Sequence, residues 1–291
     1  MSTTPNPGDL MFPPLPYESW SDTLLGLHLV SQIVGRVRLA LHPPVNHWWH
    51  AALYVSPRGL TTGAIPHPGS RGQNFDLEID LLDHRVVTRT SDGRSLSITL
   101  ADRSICDFHR EFTAQLQQLG IEVAIDVRPY KCRSTIPYPE DRAHGAHDRR
   151  AVQTAFAILR GVAAILQEFR SRFLGKCSPV HLFWHSFDLA VTRFSGRRAP
   201  ALEGADHVAQ EAYSHEVNSA GFWFGDDTVR EPAFYCYTAP APASMREAMV
   251  TLRYDEMRTS PDPRRALLAF LQDAYAAGAD AAQWDRAALE R

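Results

Sequence analysis

Strict alternation of apolar and polar residues over positions 74–81 constrains the fold more than any other feature of this chain. Every second side chain from Phe75 to Leu81 is apolar, those between them are Asp or Glu, and Asn74 precedes the first. Successive side chains of a strand point to opposite faces, so this segment predicts a strand with one buried and one wet face. Two shorter segments, 86–90 and 96–100, continue the pattern across a polar turn. The region therefore predicts an antiparallel meander.

Helical periodicity surrounds this meander. Five segments place apolar residues three or four positions apart, as amphipathic helices do. Ser21 or Asp22, Ser104 with Asp107, and Asp148 are expected to cap the first three helices. The predicted helices cover 21–39, 105–119, 148–174 and 209–217, with a C-terminal helix that begins at Asp262 and Pro263.

Four further segments are predicted to be extended. Residues 45–55, 121–127 and 233–237 should each form one strand, and the stretch 180–200 should form one strand or a hairpin. Helices that flank such strands predict an α+β fold, in which helices pack on an antiparallel or mixed sheet. The 291 residues suffice for one large domain or for two.

The polar, proline-punctuated segment 128–147 is the best candidate for a boundary inside the chain. It would separate a helix and meander half, 21–127, from a helix and strand half, 148–291, after a proline-rich arm over 1–20. The alternative is a long surface loop within one integrated domain.

A possible duplication relates the two halves. A shift of 135 positions superposes five residues, which favours two related helix-strand halves around a shared cleft, with both Trp-His pairs on strands beside it. The matched pairs are Pro44 with Pro179, Val45 with Val180, Trp49 with Trp184, His50 with His185, and Arg58 with Arg193.

The composition restricts which partners and which cellular compartment are expected. A formal charge of -3, with 44% apolar and 22% charged residues, gives no electrostatic reason to expect nucleic acid or an anionic membrane as a partner. No run of about 20 uninterrupted apolar residues predicts a membrane span. Four cysteines without a C-x-x-C pair argue against a disulfide framework, and the N-terminal sequence lacks a secretory signal. These features predict a cytoplasmic protein and leave its oligomeric state open.

The stretch 180–200 sets ionisable residues into sequence that otherwise predicts a buried strand. Such side chains must be paired, neutral or functional. Asp188 is expected to pair with Arg193, or with Arg197 or Arg198, and so to fix the strand. Alternatively, these arginines bind a carboxylate or phosphate of a small ligand.

The histidines of two predicted strands are candidate metal ligands. Strand alternation in NHWWH puts His47 and Trp49 on one face and His50 on the other, so His47 and His50 would not bind one ion together. His181 and His185 would share a face but lie about 13 Å apart. A divalent metal would therefore take single ligands from several elements, with His47 and His181 as candidates. The alternative is a set of buried rings that bond to backbone carbonyls.

The segment 212–223 clusters polar residues before an aromatic pair. His215 is a candidate acid or base, with Glu216 as its neighbour and His50 as a second candidate. In a helix, His215 and Glu216 would point about 100° apart, so a surface turn without chemistry is the alternative. The chain has no P-loop and no G-x-G-x-x-G sequence, so a nucleotide cofactor of those types is not expected.

Five motifs resemble those of a bacterial family known only as a domain of unknown function, and the resemblance extends over nearly the whole chain. They are NHWWH at 46–50, TSDGR at 90–94, GKCSPVH at 175–181, SFDLAVTRFSGRRAP at 186–200, and YSHE with SAGFW between 213 and 223. The resemblance implies no activity. By position, it draws attention to His47, His50, His181, Asp188, Arg193, His215 and Glu216. At His185 the chain departs from the family pattern, which has glycine there, and this favours a structural role for His185.

These features predict an enzyme that acts on a small anionic molecule by acid-base or metal-assisted chemistry. His215 or His50 would be the acid, base or ligand, with Glu216 as partner, and Arg193 would bind the anion. The other predicted substrate contacts are Asp188, Arg197 and Trp49. The alternative is a non-catalytic binding or scaffold protein in which these polar residues stabilise a sheet.

Overall fold

Seven α-helices and eleven strands occur in the part of the chain that this computed structural model describes, residues 12–245, 247 and 249–291. The predicted α+β class is confirmed. Residues 1–11 of the predicted N-terminal arm lie outside the described residues. The helices are α1 (Ser21–Leu41), α2 (Ile105–Gln118), α3 (Arg149–Ser171), α4 (His207–Ala212), α5 (Tyr254–Arg258), α6 (Pro263–Ala281) and α7 (Arg286–Leu289).

The strands form two sheets in which every pair is antiparallel. The first has the order β1-β2-β4-β5-β6 with β3 beside β4, and the second has the order β11-β10-β9-β8-β7. The first contains β1 (Tyr54–Val55), β2 (Gly59–Thr61), β3 (Ile65–Pro66), β4 (Asn74–Asp80), β5 (Arg85–Thr90) and β6 (Ser95–Thr99). The second contains β7 (His181–Phe183), β8 (Asp188–Arg198), β9 (His215–Trp223), β10 (Ala233–Ala239) and β11 (Met249–Arg253).

The two sheets meet at Leu53 and Leu182. Each of these residues donates its backbone N–H to the carbonyl of the other, at 2.9 and 2.7 Å. One cluster of buried apolar side chains also includes residues from both sides of the segment 128–147. The residues before and after the predicted boundary segment therefore share one continuous hydrophobic core.

Helices α3 and α6 cover one face of the second sheet, which we call the inner face. The contact is close at Gly278 of α6, where a Cβ atom would lie 2.0 Å from Oγ1 of Thr238. Asn218 and Thr238 therefore face the helices. On β8, the odd-numbered residues face the helices as well. The alternate residues, which begin with Asp188 on β8, form the outer face.

The segment 45–55 does not form the predicted strand. Asn46–Ala51 is a 3-10 helix in which His47 (φ 59°) and Trp48 (φ 61°) both adopt left-handed backbone angles, and only Tyr54–Val55 is extended in a sheet. Two successive left-handed residues are incompatible with a strand, and for side chains other than glycine they cost about 1 to 3 kcal/mol each. Alternation therefore does not position the NHWWH side chains.

Two other predictions were wrong because they did not account for which strands pair in the sheets. The segment 121–127 keeps an alternating pattern of burial but forms no strand, because no neighbouring strand pairs with it. The predicted helix over 209–217 ends as α4 at Ala212, and His215 instead begins β9 between β8 and β10. Sheet pairing overrides local helical periodicity there.

The helix caps are mostly as predicted. Ser104, Asp148 and Asp262 each accept a backbone N–H at the start of α2, α3 and α6. Helix α1 is the exception, because its cap residue is Trp20 and no side chain bonds there.

The predicted Trp-His strands are absent from the described residues. Trp49 and His50 lie in the 3-10 helix, and Trp184 and His185 lie in the turn between β7 and β8. The two segments therefore differ in local structure, and the predicted pair of Trp-His strands beside a shared cleft does not form.

Helices α1 and α3 are long and apolar enough to span a membrane by length and composition alone. In α1, however, 83% of the most apolar window is buried inside the protein, and in α3 the share is 50%. A buried core helix satisfies the same criteria, so these two helices are weak indicators of a membrane span.

Candidate functional site

Three of the residues predicted from sequence meet at one end of the outer face of the second sheet. The ring centroid of His47 lies 5.4 Å from that of Trp49 and 5.6 Å from that of His215. Phe194 of β8 lies beneath them, with its centroid 4.7 Å from that of His47. The 3-10 helix over 46–51 therefore places His47 over the sheet, although the strand predicted there does not form.

Both ring nitrogens of His47 have partners. Nδ1 lies 3.2 and 3.3 Å from the carbonyl oxygens of Glu211 and Ala212, to which it can only donate. Nε2 is then the acceptor, and it lies 2.7 Å from Nζ of Lys176. The imidazole of His47 is thus held as a neutral tautomer that orients the Lys176 ammonium.

Lys176 lies between aromatic rings. Its Nζ atom is 4.9 Å from the centroid of Phe194 and 5.6 Å from that of Trp49, within the range of cation-π attraction. The side chain keeps access to solvent, and partial burial of the ammonium lowers its pKa. Lys176 is therefore positioned at the surface, where a ligand can reach it.

His47, Lys176, Arg198 and His215 form what we call the basic cluster. Arg198 lies opposite His215 in the β8–β9 ladder, beyond an irregularity in the register after Phe194. Burial, and then the charge of Lys176, lower the pKa of both histidines, and Arg198 also lowers that of His215. None of the four forms a salt bridge with a carboxylate within the described part of the chain. The cluster is an uncompensated positive site.

An apolar pocket of about 570 Å³ adjoins the basic cluster. Ala199, which follows Arg198, lines it, and its N–H donates to the carbonyl of Ser214 at 3.1 Å. Tyr213 and Tyr237 line the same pocket, and their hydroxyl oxygens are 2.9 Å apart. The pocket thus combines an apolar wall with two phenol groups.

Arg193 does not lie at this site and does not pair with Asp188. Its side chain is fully buried on the inner face, where its Nη2 donates to the carbonyl of Phe169. The guanidinium stacks 3.4 Å from the ring centroid of Phe169 and 4.2 Å from that of Tyr275, and burial lowers its pKa to about 10. The predicted pairing with Asp188 is wrong because residues 188 and 193 point to opposite faces of β8.

Glu216 and Arg197 pair with each other. Nη2 of Arg197 lies 2.7 Å from Oε2 of Glu216 and 2.6 Å from the carbonyl oxygen of Ala282, just after α6. Adjacent residues of a strand point to opposite faces, so Glu216 turns away from His215. The predicted partnership of His215 with Glu216 is therefore not formed.

The other predicted residues lie apart from the basic cluster. Nδ1 of His50 is 3.1 Å from the backbone nitrogen of Val45, within the same 3-10 turn. His181 on β7 is fully buried, and neither ring nitrogen has a hydrogen-bond partner among the described residues. His185 lies in the turn after β7, so the 13 Å strand spacing does not apply to it. Asp188 accepts hydrogen bonds from Ser186 and Tyr235.

The described residues contain no group of three or more His, Cys, Asp or Glu side chains placed to hold a metal ion. His47 and His181 are therefore not joined by a third ligand there. Both nitrogens of His47 are already engaged, so Lys176 would have to leave before Nε2 could ligate a metal.

A family model matches residues 12–291, and its description is a family of unknown function, DUF5996. The chain belongs to this family. The resemblance drawn from the motifs is thus confirmed over nearly the whole sequence. No curated protein and no solved structure matches the chain significantly.

Lys176 was not among the residues predicted from the sequence of this member of DUF5996, although it lies within the motif GKCSPVH. The rarity of lysine in this chain is the sequence feature that singles out Lys176. Of the 30 basic side chains only two, Lys131 and Lys176, are lysines, so arginine is used almost everywhere else. A compact ammonium differs from a guanidinium in its hydrogen bonding and in the ease with which its pKa shifts.

Proposed function

We propose that the protein is an enzyme that binds a small anionic molecule at the basic cluster and acts on it by acid-base chemistry. The observation that carries this proposal is the convergence of two imidazoles, an ammonium and a guanidinium without a carboxylate. Uncompensated positive charge at a surface attracts anions and strengthens each hydrogen bond to them. This proposal assigns the anion to Lys176 and Arg198 instead of Arg193.

Each group has a distinct role in this proposal. Lys176 and Arg198 bind a carboxylate or phosphate through charge-assisted hydrogen bonds. His47 is a positioning residue, because its Nε2 holds the ammonium of Lys176 in place. Nδ1 of His215 is 3.1 Å from Oγ of Ser214, while its Nε2 makes no hydrogen bond within the described residues. That nitrogen is available to donate or accept a proton at the substrate.

The adjoining pocket supports a substrate with an apolar part. A molecule whose anionic group lies at Arg198 would extend along Ala199 toward Tyr213 and Tyr237. Small-molecule sites commonly combine an apolar wall with a few polar groups that fix orientation. The proposed substrate is therefore a small amphipathic anion.

The first test measures binding of inorganic phosphate by calorimetry and by the NMR signals of the histidine ring protons. Replacement Lys176→Met should weaken phosphate binding about 10-fold or more, because a charge-assisted hydrogen bond contributes about 1.5 to 3 kcal/mol. Lys131→Met is the matched control and should leave the affinity unchanged. Equal affinity in the two variants, or no binding by the unsubstituted protein, would contradict the proposal.

The second test concerns turnover. The protein is incubated with a panel of carboxylated and phosphorylated metabolites, and products are followed by NMR. His215→Gln should reduce any turnover about 100-fold or more while phosphate affinity stays within about 3-fold, because general acid-base groups act mainly in the transition state. Phosphate binding without turnover of any panel member would favour the rival, a non-catalytic binding protein.

A further inference from the structure

The far end of the same outer face carries the opposite charge. Asp188 begins β8, and Phe194 at the basic cluster lies six residues further along, about 20 Å away in a regular strand. Asp188 is half-buried and forms no salt bridge within the described part of the chain. Lys131 is near enough to lower the pKa of His185, but it does not pair with Asp188. An anionic site therefore lies well apart from the basic cluster.

Aromatic side chains flank Asp188 in the sheet. Phe183 of β7 and Trp223 of β9 are its direct cross-strand neighbours, so all three side chains stand in one row on the outer face. Side chains directly opposite each other in antiparallel strands are about 4.5 to 5.5 Å apart at Cβ. The carboxylate thus stands between two rings that both keep access to solvent.

Tyr235 of β10 completes the arrangement from the side. Its hydroxyl donates to Oδ2 of Asp188, and its ring centroid lies 5.7 Å from that of Trp223. The phenol reaches Asp188 by crossing over Gly221, where a Cβ atom would lie 2.5 Å from the hydroxyl oxygen. Glycine at position 221 is therefore required for this contact.

Two hydroxyl groups hold the carboxyl of Asp188 in place and bring no countercharge to it. Ser186 donates to Oδ1 and Tyr235 donates to Oδ2. Burial, and then the negative charge of Asp188, raise the pKa of Tyr235 well above its usual range, so the phenol remains a donor. The result is a fixed carboxyl group with the rings of Phe183, Trp223 and Tyr235 beside it, and the ring of His185 stacks on Phe183 with 5.3 Å between centroids.

We infer that Asp188, Phe183, Trp223 and Tyr235 form a binding site for an organic ammonium group. A carboxylate supplies the countercharge, and the rings supply cation-π attraction, which neither an inorganic anion nor a neutral group would receive. This site does not depend on the proposed function of the basic cluster, because the two lie at opposite ends of the sheet.

The test uses choline chloride as the charged probe and 3,3-dimethyl-1-butanol as its neutral isostere. Calorimetry on the full chain should show choline binding about 10-fold or more tighter than the isostere, because only the charged probe receives both cation-π attraction and a countercharge. Choline should also shift the NMR signal of the Trp223 indole N–H, assigned with a Trp223→Phe variant. Equal affinities, or a shift confined to other tryptophans, would overturn the inference.

Variants give a second and independent readout. Asp188→Asn should weaken choline binding about 10-fold or more and leave the isostere unchanged, whereas Asp273→Asn, at an exposed aspartate of α6, should change neither. Lys176→Met should leave choline binding unchanged. Failure of the proposal for the basic cluster is therefore distinguishable from failure of the proposal for the ammonium site at Asp188. If Asp188→Asn does not fold, the comparison of choline with its isostere on the unsubstituted protein still decides.

Discussion

Replacement of Arg193 by alanine is expected to lower the free energy of unfolding by about 3 to 5 kcal/mol. The substitution removes a fully buried side chain between β8, α3 and α6, which leaves a cavity lined by Phe169 and Tyr275. It also removes the side-chain donor to the carbonyl of Phe169, which then keeps only the N–H of Arg172 at 3.4 Å. Guanidinium chloride denaturation followed by circular dichroism measures this loss.

Arg193→Met is the control that distinguishes the effect of lost side-chain volume from the effect of lost charge. Methionine fills most of the space and removes a charge that has no carboxylate partner, so we expect it to cost less than half as much as alanine. Phosphate affinity should stay within about 3-fold in the methionine variant, because Arg193 lies on the inner face. An alanine variant as stable as the unsubstituted protein, with phosphate binding lost, would restore Arg193 as the residue that binds the anion.

Most helices and the meander are predictable because local patterns decide them. The alternation over 74–81 gives strand β4, and the caps at Ser104 and Asp148 form within their own helices. The predicted wet face of β4 is wrong in part, because Glu78 and Asp80 are buried and pair with Arg89 and Arg58. The segment 121–127 shows where this reasoning stops, since alternation reports burial but not whether a partner strand exists. His215 shows the converse, because pairing with Arg198 makes it part of a strand despite helical spacing.

The candidate site was only partly predictable, because contacts between distant parts of the chain bring its residues together. His47, Trp49 and His215 were identified from sequence, but their convergence depends on two left-handed residues that no periodicity signals. Arg193 was misplaced because sequence spacing puts residues 188 and 193 on opposite faces of a strand but does not show which of these faces carries the helices. Lys176 approaches His47 across 129 positions, a contact that only the fold creates.

Acidification from pH 7 to pH 5 is expected to lower the free energy of unfolding by up to about 4 kcal/mol, mainly through His28 and His181. Burial lowers the pKa of His28 to about 4 and that of His181 to about 3, against 6.5 for an exposed histidine. Below pH 6.5 the unfolded chain therefore binds protons that the folded protein does not, so stability falls as the pH falls. Each histidine contributes about 1.4 kcal/mol per pH unit in this window, as seen in denaturation midpoints at several pH values.

His181→Leu distinguishes a buried neutral histidine from one that serves a site. Neither ring nitrogen of His181 has a partner among the described residues, so leucine loses no hydrogen bond there and should leave stability at pH 7 within about 1 kcal/mol. The loss of stability between pH 7 and pH 5 should become smaller by up to about 2 kcal/mol, because leucine removes one buried histidine whose pKa is lowered. His207→Leu, at an exposed position on α4, should keep the full dependence. An unchanged dependence in His181→Leu would mean that the folded protein protonates this ring, which requires a partner that the buried site does not otherwise supply.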